Sequence, residues 1–131
     1  MDTKVMRAVL AESQAGKLTF GEVVRRLVEV GVESYFVDFA RRDETFYMPD
    51  GETYAEKMTV PVPAIASEFS TEGIVAAIRA AQADKIRYPE FVKRATAAGV
   101  IGYWAFLSGR NVTYIGRRGE THVERFPPAK P

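Results

Sequence analysis

The sequence has no cysteine, one histidine and one tryptophan among its 131 residues. Without cysteine there are no disulfides, thiolate zinc sites, iron–sulfur clusters or cysteine nucleophiles, and a lone histidine offers little to a transition metal. Neither sign of charge prevails: 18 Lys and Arg stand against 17 Asp and Glu, a net +1. That balance argues against wholesale wrapping of nucleic acid or of an acidic membrane. No apolar run approaches a bilayer span, and Met1–Asp2–Thr3–Lys4 leads into no signal-peptide core, so a soluble, cytoplasmic protein is expected. Phosphate-cradling glycine loops, the G-x-S-x-G elbow and the H-E-x-x-H helix are all missing. Carboxylates are too scattered to single out an acid pair for glycoside chemistry. No cofactor and no metal site is expected.

What is present is a globular composition, 47% hydrophobic and 27% charged, which removes disordered and fibrous classes. The length suits one domain able to bury a core without staples.

The organising feature is a duplication. Residues 15–56 align without a gap on residues 83–124, an offset of 68, with 14 identities in 42 positions; chance would give roughly two or three. The identities include Gly31/Gly99, Tyr35/Tyr103, Arg42/Arg110, Gly51/Gly119, Glu52/Glu120 and Glu56/Glu124, and the match extends weakly upstream. The expected architecture is α+β: a helix–helix–three-stranded-meander unit present twice, packed as one pseudo-twofold domain. Repeat 1 covers about 1–56, a Pro-containing connector 57–68, and repeat 2 about 69–124.

Each repeat is read the same way. A first helix spans about Thr3 to Gln14, with a copy from Thr71 that Ser70 can cap. A second begins at Thr19, whose spacing from Glu22 makes a capping box, and its copy carries Pro89 near its start. Glu22–Arg26 and Glu90–Arg94 stand at i, i+4 in the order that favours ion pairs. Gly31 and Gly99 sit where a helix ends on a left-handed residue. Strands are expected over Val32–Phe39, Thr45–Met48 and from Glu52, and again over Val100–Leu107, Val112–Ile115 and from Glu120 to Phe126–Pro127–Pro128. Val60–Pro61–Val62–Pro63–Ala64 is an extended connector.

Candidate chemistry is sparse. Histidine is the side chain that most readily exchanges a proton near neutrality, and His122 is the sole example; its repeat partner is Tyr54. Alternation puts His122 and Glu124 on one strand face, so an acid–base pair assisted by Arg110 is the one catalytic candidate; no catalytic assignment follows from it. Arg42 and Arg110 offer forks to a carboxylate or phosphate, or cross-strand partners to the retained glutamates. Tyr35, Tyr103 and Trp104 complete the ligand-binding candidates. Interleaved with Arg110, Arg117, Arg118 and Arg125, the aromatics of the second repeat suggest base stacking, but Glu120 and Glu124 interrupt the patch, and nucleic acid is the least favoured partner.

Gly31–Val32–x–x–Tyr35, Tyr47–x–x–Asp50–Gly51–Glu52 and Gly119–Glu120–x–His122–Val123–Glu124–x–Phe126–Pro127 resemble a family of small bacterial proteins of unknown function, some labelled "phage envelope protein". The resemblance covers nearly the whole chain and implies no activity, cofactor or catalytic residue; the label would imply a phage-related structural role. The leading expectation is a non-catalytic binding or interaction module, using the crevice between the halves for a small molecule or a protein partner. The alternatives are a small enzyme working through His122 and a weak nucleic-acid binder. A homodimer through a sheet edge or through the apolar connector around Val60–Ile65 is also expected.

Overall fold

The computed structural model describes residues 1–127. The order is α1 (Thr3–Gln14), α2 (Phe20–Glu29), β1 (Ser34–Asp38), β2 (Asp43–Tyr47) and β3 (Thr53–Lys57), then α3 (Thr71–Gln82), α4 (Tyr88–Ala97), β4 (Val100–Phe106), β5 (Asn111–Gly116) and β6 (Thr121–Arg125). Both helices and the third strand recur at an offset of 68 residues at each of their ends. The left-handed backbone positions recur at the same offset: Gly16/Asp84, Gly31/Gly99, Arg42/Arg110 and Gly51/Gly119. The mixed α+β fold is therefore two copies of one unit.

Local chemistry starts the helices where the sequence places them. The Thr19 hydroxyl accepts from the Glu22 N–H at 3.2 Å while the Glu22 carboxylate accepts from the Thr19 N–H at 2.9 Å; Ser70 accepts from the Gly73 N–H at 2.9 Å. The Glu22–Arg26 pair does not form. Glu22 is occupied by the cap, and Arg26 reaches across to Glu12 of α1 at 2.9 Å, tying the two helices. Glu90 and Arg94 do pair, at 3.1 Å.

All six strands form one antiparallel sheet, ordered β3-β2-β1-β4-β5-β6. The halves join where β1 pairs β4, and there Phe36 lies opposite its own repeat partner, Trp104. The pseudo-twofold axis passes between those two residues. The helices cover one face, burying Tyr35, Val37, Phe46, Tyr103 and Tyr114. The other face carries a cluster of Phe36, Tyr47, Trp104 and Phe106, with Trp104 stacked on Tyr47 and Phe106 at 5.4 and 5.6 Å between centroids. The buried Trp104 Nε1 has no hydrogen-bond partner among the described residues.

Two expectations need correction. The first strands are shorter and β2 begins at Asp43, before Thr45, because the left-handed Arg42 (φ 62°) closes the turn early. Arg42 and Arg110 do not pair with the glutamates of the next strand. What their position supplies is that left-handed turn, where the Arg42 and Arg110 carbonyls accept from Met58 and Phe126 N–H at 2.8 and 2.9 Å. In the connector Val60 and Val62 are buried within this chain while Pro61, Pro63 and Ala64 are exposed, and Gln14 accepts hydrogen bonds from the Thr59 and Val60 backbone. Strand β6 ends at Arg125, and Pro128 lies outside the described residues.

The equivalent glycines Gly31 and Gly99 differ in their surroundings. A Cβ on Gly31 would meet only the Met48 methyl at 3.6 Å, whereas one on Gly99 would stand 2.2 Å from the Glu68 carbonyl oxygen. Gly31→Ala should therefore cost about 1 kcal/mol, the left-handed penalty alone. Gly99→Ala should cost at least ~2 kcal/mol more, because the connector backbone must move. Urea denaturation of the two variants checks this; equal midpoints would contradict it.

Candidate functional site

Each strand places one ring on the helix-covered face. Across the sheet these are Tyr54, Phe46, Tyr35, Tyr103, Tyr114 and His122, with successive centroids 6.4, 5.7, 6.4, 5.4 and 6.5 Å apart. Cross-strand pairing creates the row: Phe46 faces Tyr54 and Tyr35, and Tyr114 faces Tyr103 and His122. Only the central step, Tyr35 to Tyr103, runs diagonally across the axis.

The helices do not cover this row evenly. Helix α4 buries Phe91, Val92, Ala95 and Thr96, whereas α2 buries only Leu27. Beneath the looser helix lies a cavity of about 420 Å³. Its walls are mostly apolar, with Leu10, Leu27, Phe46, Ile78, Phe91 and Val112 among them. Phe20 of α2, more than a third exposed, also lines it and meets Phe126 edge-to-face at 5.6 Å.

Of the three carboxyl groups in the lining, Glu44, Asp84 and Glu124, only Glu44 is buried. Glu44 projects inward from β2, 5% exposed, between Val37 of β1 and Glu56 of β3. Its Oε1 accepts a long hydrogen bond, 3.5 Å, from the Tyr88 hydroxyl, which in turn accepts from the Tyr103 hydroxyl at 2.9 Å. Burial pushes the Glu44 pKa up to about 8, against a small opposing pull from Tyr88. Burial likewise raises Tyr35, Tyr88, Tyr103 and Tyr114, so all four hydroxyls stay protonated across the ordinary pH range. At neutral pH the interior thus holds a mostly uncharged acid among phenols.

The copies diverge where this polarity arises. Glu44 corresponds to Val112, and Tyr88 to Phe20. The first repeat supplies the carboxyl and the second the hydroxyl that reaches it across the axis. Sequence reasoning passed over Glu44, although an acid two residues before an inward-facing Phe46, where the copy has Val112 before Tyr114, was the available signal.

The sequence-derived candidates are brought together only in part. Tyr35, Tyr103 and Glu124 line the cavity; His122, Arg110, Arg42 and Trp104 do not. Trp104 is on the opposite face of the sheet. Arg110 donates to the Pro127 carbonyl at 2.9 Å and lies over the Phe126 ring. His122 ends the row of rings with its Nε2 3.2 Å from Glu124 Oε1. That contact repeats the bond that its counterpart Tyr54 makes to Glu56. Burial pushes Glu124 up, but hydrogen bonds from Arg79, at 2.6 Å, and from His122 outweigh it and hold the group below the usual carboxylate range. Glu56 is met in the same way by Arg7, from α1, at 3.4 Å. Among the described residues no three His, Asp or Glu side chains are grouped to hold a metal. No helix among them is long and apolar enough to cross a membrane.

A carboxyl whose pKa is higher folded than unfolded favours folding below the unfolded value and opposes it as pH rises through the folded one. Glu44 should therefore lower stability progressively between about pH 4.5 and pH 8. Glu44→Gln should remove that slope and be more stable than the parent at pH 8.5, by on the order of a few kcal/mol. Denaturant midpoints measured across this range test it; parallel pH profiles for parent and variant would contradict it.

No protein-family model matches the chain. A stretch of 63 residues is 35% identical to uncharacterised proteins of Mycobacterium tuberculosis and Mycobacterium bovis, covering 48% of this chain and 38% of each relative. The chain thus matches well under half the length of those curated relatives, and their own functions are uncharacterised.

Proposed function

We propose that the protein is a non-catalytic binding module that takes a small, largely apolar molecule into the cavity beneath α2. The observation that carries this reading is the cavity itself. About 420 Å³ lies open beside rings that the same sheet packs closely elsewhere, within the range of small-molecule pockets. Its lining runs from buried Tyr35, Phe46 and Ile78 to exposed Phe20 and Arg125, so the space communicates with solvent and admits a ligand. A mostly apolar lining with a few polar groups, among them the buried Glu44, is also the usual composition of a ligand site.

The remaining features rank the alternatives. Acid–base catalysis draws support from the contact between His122 and Glu124, but His122 is outside the lining and Glu124 already serves Arg79. For nucleic acid, Arg110, Arg117 and Arg118 are engaged with Pro127, Ile65 and Glu68. A phage-related structural role would rest on the family label alone. We place the module in the cytoplasm as one domain, paired into a homodimer through β3 or β6, the two edges whose backbone groups are open to a second sheet.

Binding of the neutral dye N-phenyl-1-naphthylamine tests the reading. The parent should give saturable fluorescence enhancement, and Val112→Trp, which fills the cavity, should weaken it by roughly tenfold or more. Leu10→Phe, a gentler filling, should give a smaller loss, with circular dichroism unchanged in both. Absence of saturable binding, or equal binding by all three proteins, would overturn the proposal.

A further inference from the structure

We infer that the cavity is built for an organic cation, a tertiary or quaternary ammonium bearing an apolar group, with Glu44 as its counter-charge and the surrounding rings as its cage. The inference rests on reading the cavity as a ligand site and adds the chemical class of the ligand. Three carboxyls, Glu44, Asp84 and Glu124, belong to the lining, against two cations, Arg87 and Arg125. Glu44 is a carboxyl at the wall of the space, and the two nearest hydroxyls are directed toward it, Tyr103 to Tyr88 and Tyr88 to Glu44. Aromatic ring faces are electronegative and attract cations, most strongly once water is excluded. Tyr88 and Phe91 stack at 6.3 Å, and Phe91 meets Tyr103 and Tyr114 at 6.3 and 6.2 Å, so the rings wrap the carboxyl end from helix and sheet alike.

What the carboxyl lacks is a positive partner, and its charged neighbours other than Arg125 are already committed. At the rim Arg87 is held by Asp84 at 2.6 Å and by the Gly16 carbonyl at 3.3 Å. On β6 Glu124 is taken by Arg79 and His122; exposed Arg125 also belongs to the lining, at the end of that strand. Glu56, opposite Glu44 on β3, is taken by Tyr54 and Arg7. Helices α1 and α2 present no titratable side chain to the space. Buried charges persist when they are paired. Without a cationic partner Glu44 avoids an unpaired charge by holding its proton; an entering cation supplies the partner, and the proton leaves for solvent.

Isothermal titration calorimetry with (3-phenylpropyl)trimethylammonium and the neutral 4-phenylbutan-1-ol, each in phosphate and in Tris at pH 7, tests this. The ammonium probe carries a fixed charge, so any proton released comes from the protein. The expected result is roughly tenfold tighter binding of the ammonium than of the alcohol, with release of nearly one proton per ammonium bound. Glu44→Gln should lose roughly tenfold in ammonium affinity and keep alcohol affinity within about twofold. Alcohol binding without preference for the ammonium would overturn the cation assignment and leave the cavity reading standing. So would ammonium binding that releases no proton, or that Glu44→Gln retains in full. Failure of both probes to bind would overturn both readings.

Discussion

The antiparallel pairing of β1 with β4 is the contact on which the molecule depends. Each repeat alone is a three-stranded meander with two helices, too thin to bury both its sheet face and its central edge. Joining the two at their first strands removes that pair of edges and brings equivalent residues together about one axis. Phe36 meets Trp104 on the open face, and Tyr35 meets Tyr103 on the covered one. The row of six rings follows from this single junction, since each repeat contributes three and the axis aligns them. Gly102 marks how close the approach is: a Cβ there would stand 2.5 Å from the Val37 carbonyl oxygen. The first repeat has Ser34 at the equivalent position.

Symmetry built the frame, and its breach made the cavity. A faithful duplicate would pack α2 as tightly as α4 and line both halves alike. Instead α4 buries Phe91 and Val92, where α2 offers Val23 and Val24, both only partly buried. Val23 is smaller than Phe91, and the exchange of Val112 for Glu44 gives the space beside it a polar end. Burying a carboxyl opposes folding. That cost falls on one spot, while the rest of the inner face is aromatic and aliphatic surface.

Much of the fold was legible in the sequence because its signals are local. Thr19 with Glu22, Ser70, Pro89 and the helix-ending Gly31 and Gly99 fix helix limits through hydrogen bonds and backbone freedom that a few neighbouring residues determine. The duplication then let each weak signal be read twice. The cavity was not legible, for a specific reason. Arg42 and Arg110 adopt a left-handed conformation that nothing in an arginine side chain announces. Beginning β2 at Thr45 leaves Glu44 in a turn, where an acid is unremarked; beginning it at Asp43 turns Glu44 into the interior. His122 drew attention because it is the only histidine, yet its place at the end of the row and its bond to Glu124 are those of Tyr54 and Glu56 in the other half. Rarity in a composition is a property of the list, whereas the chemistry depends on which way a strand faces.

The single tryptophan and the tyrosine cluster lie on opposite faces of one sheet. This divides the intrinsic optical signals of the protein by location. Indole emission originates at the axis on the open face, where Trp104 stacks between Tyr47 and Phe106, and is set by whatever solvent or surface meets that side. The phenol absorbance and its ultraviolet circular dichroism are weighted instead toward the rings around Glu44, so the two chromophores observe the two sides of a layer one strand thick.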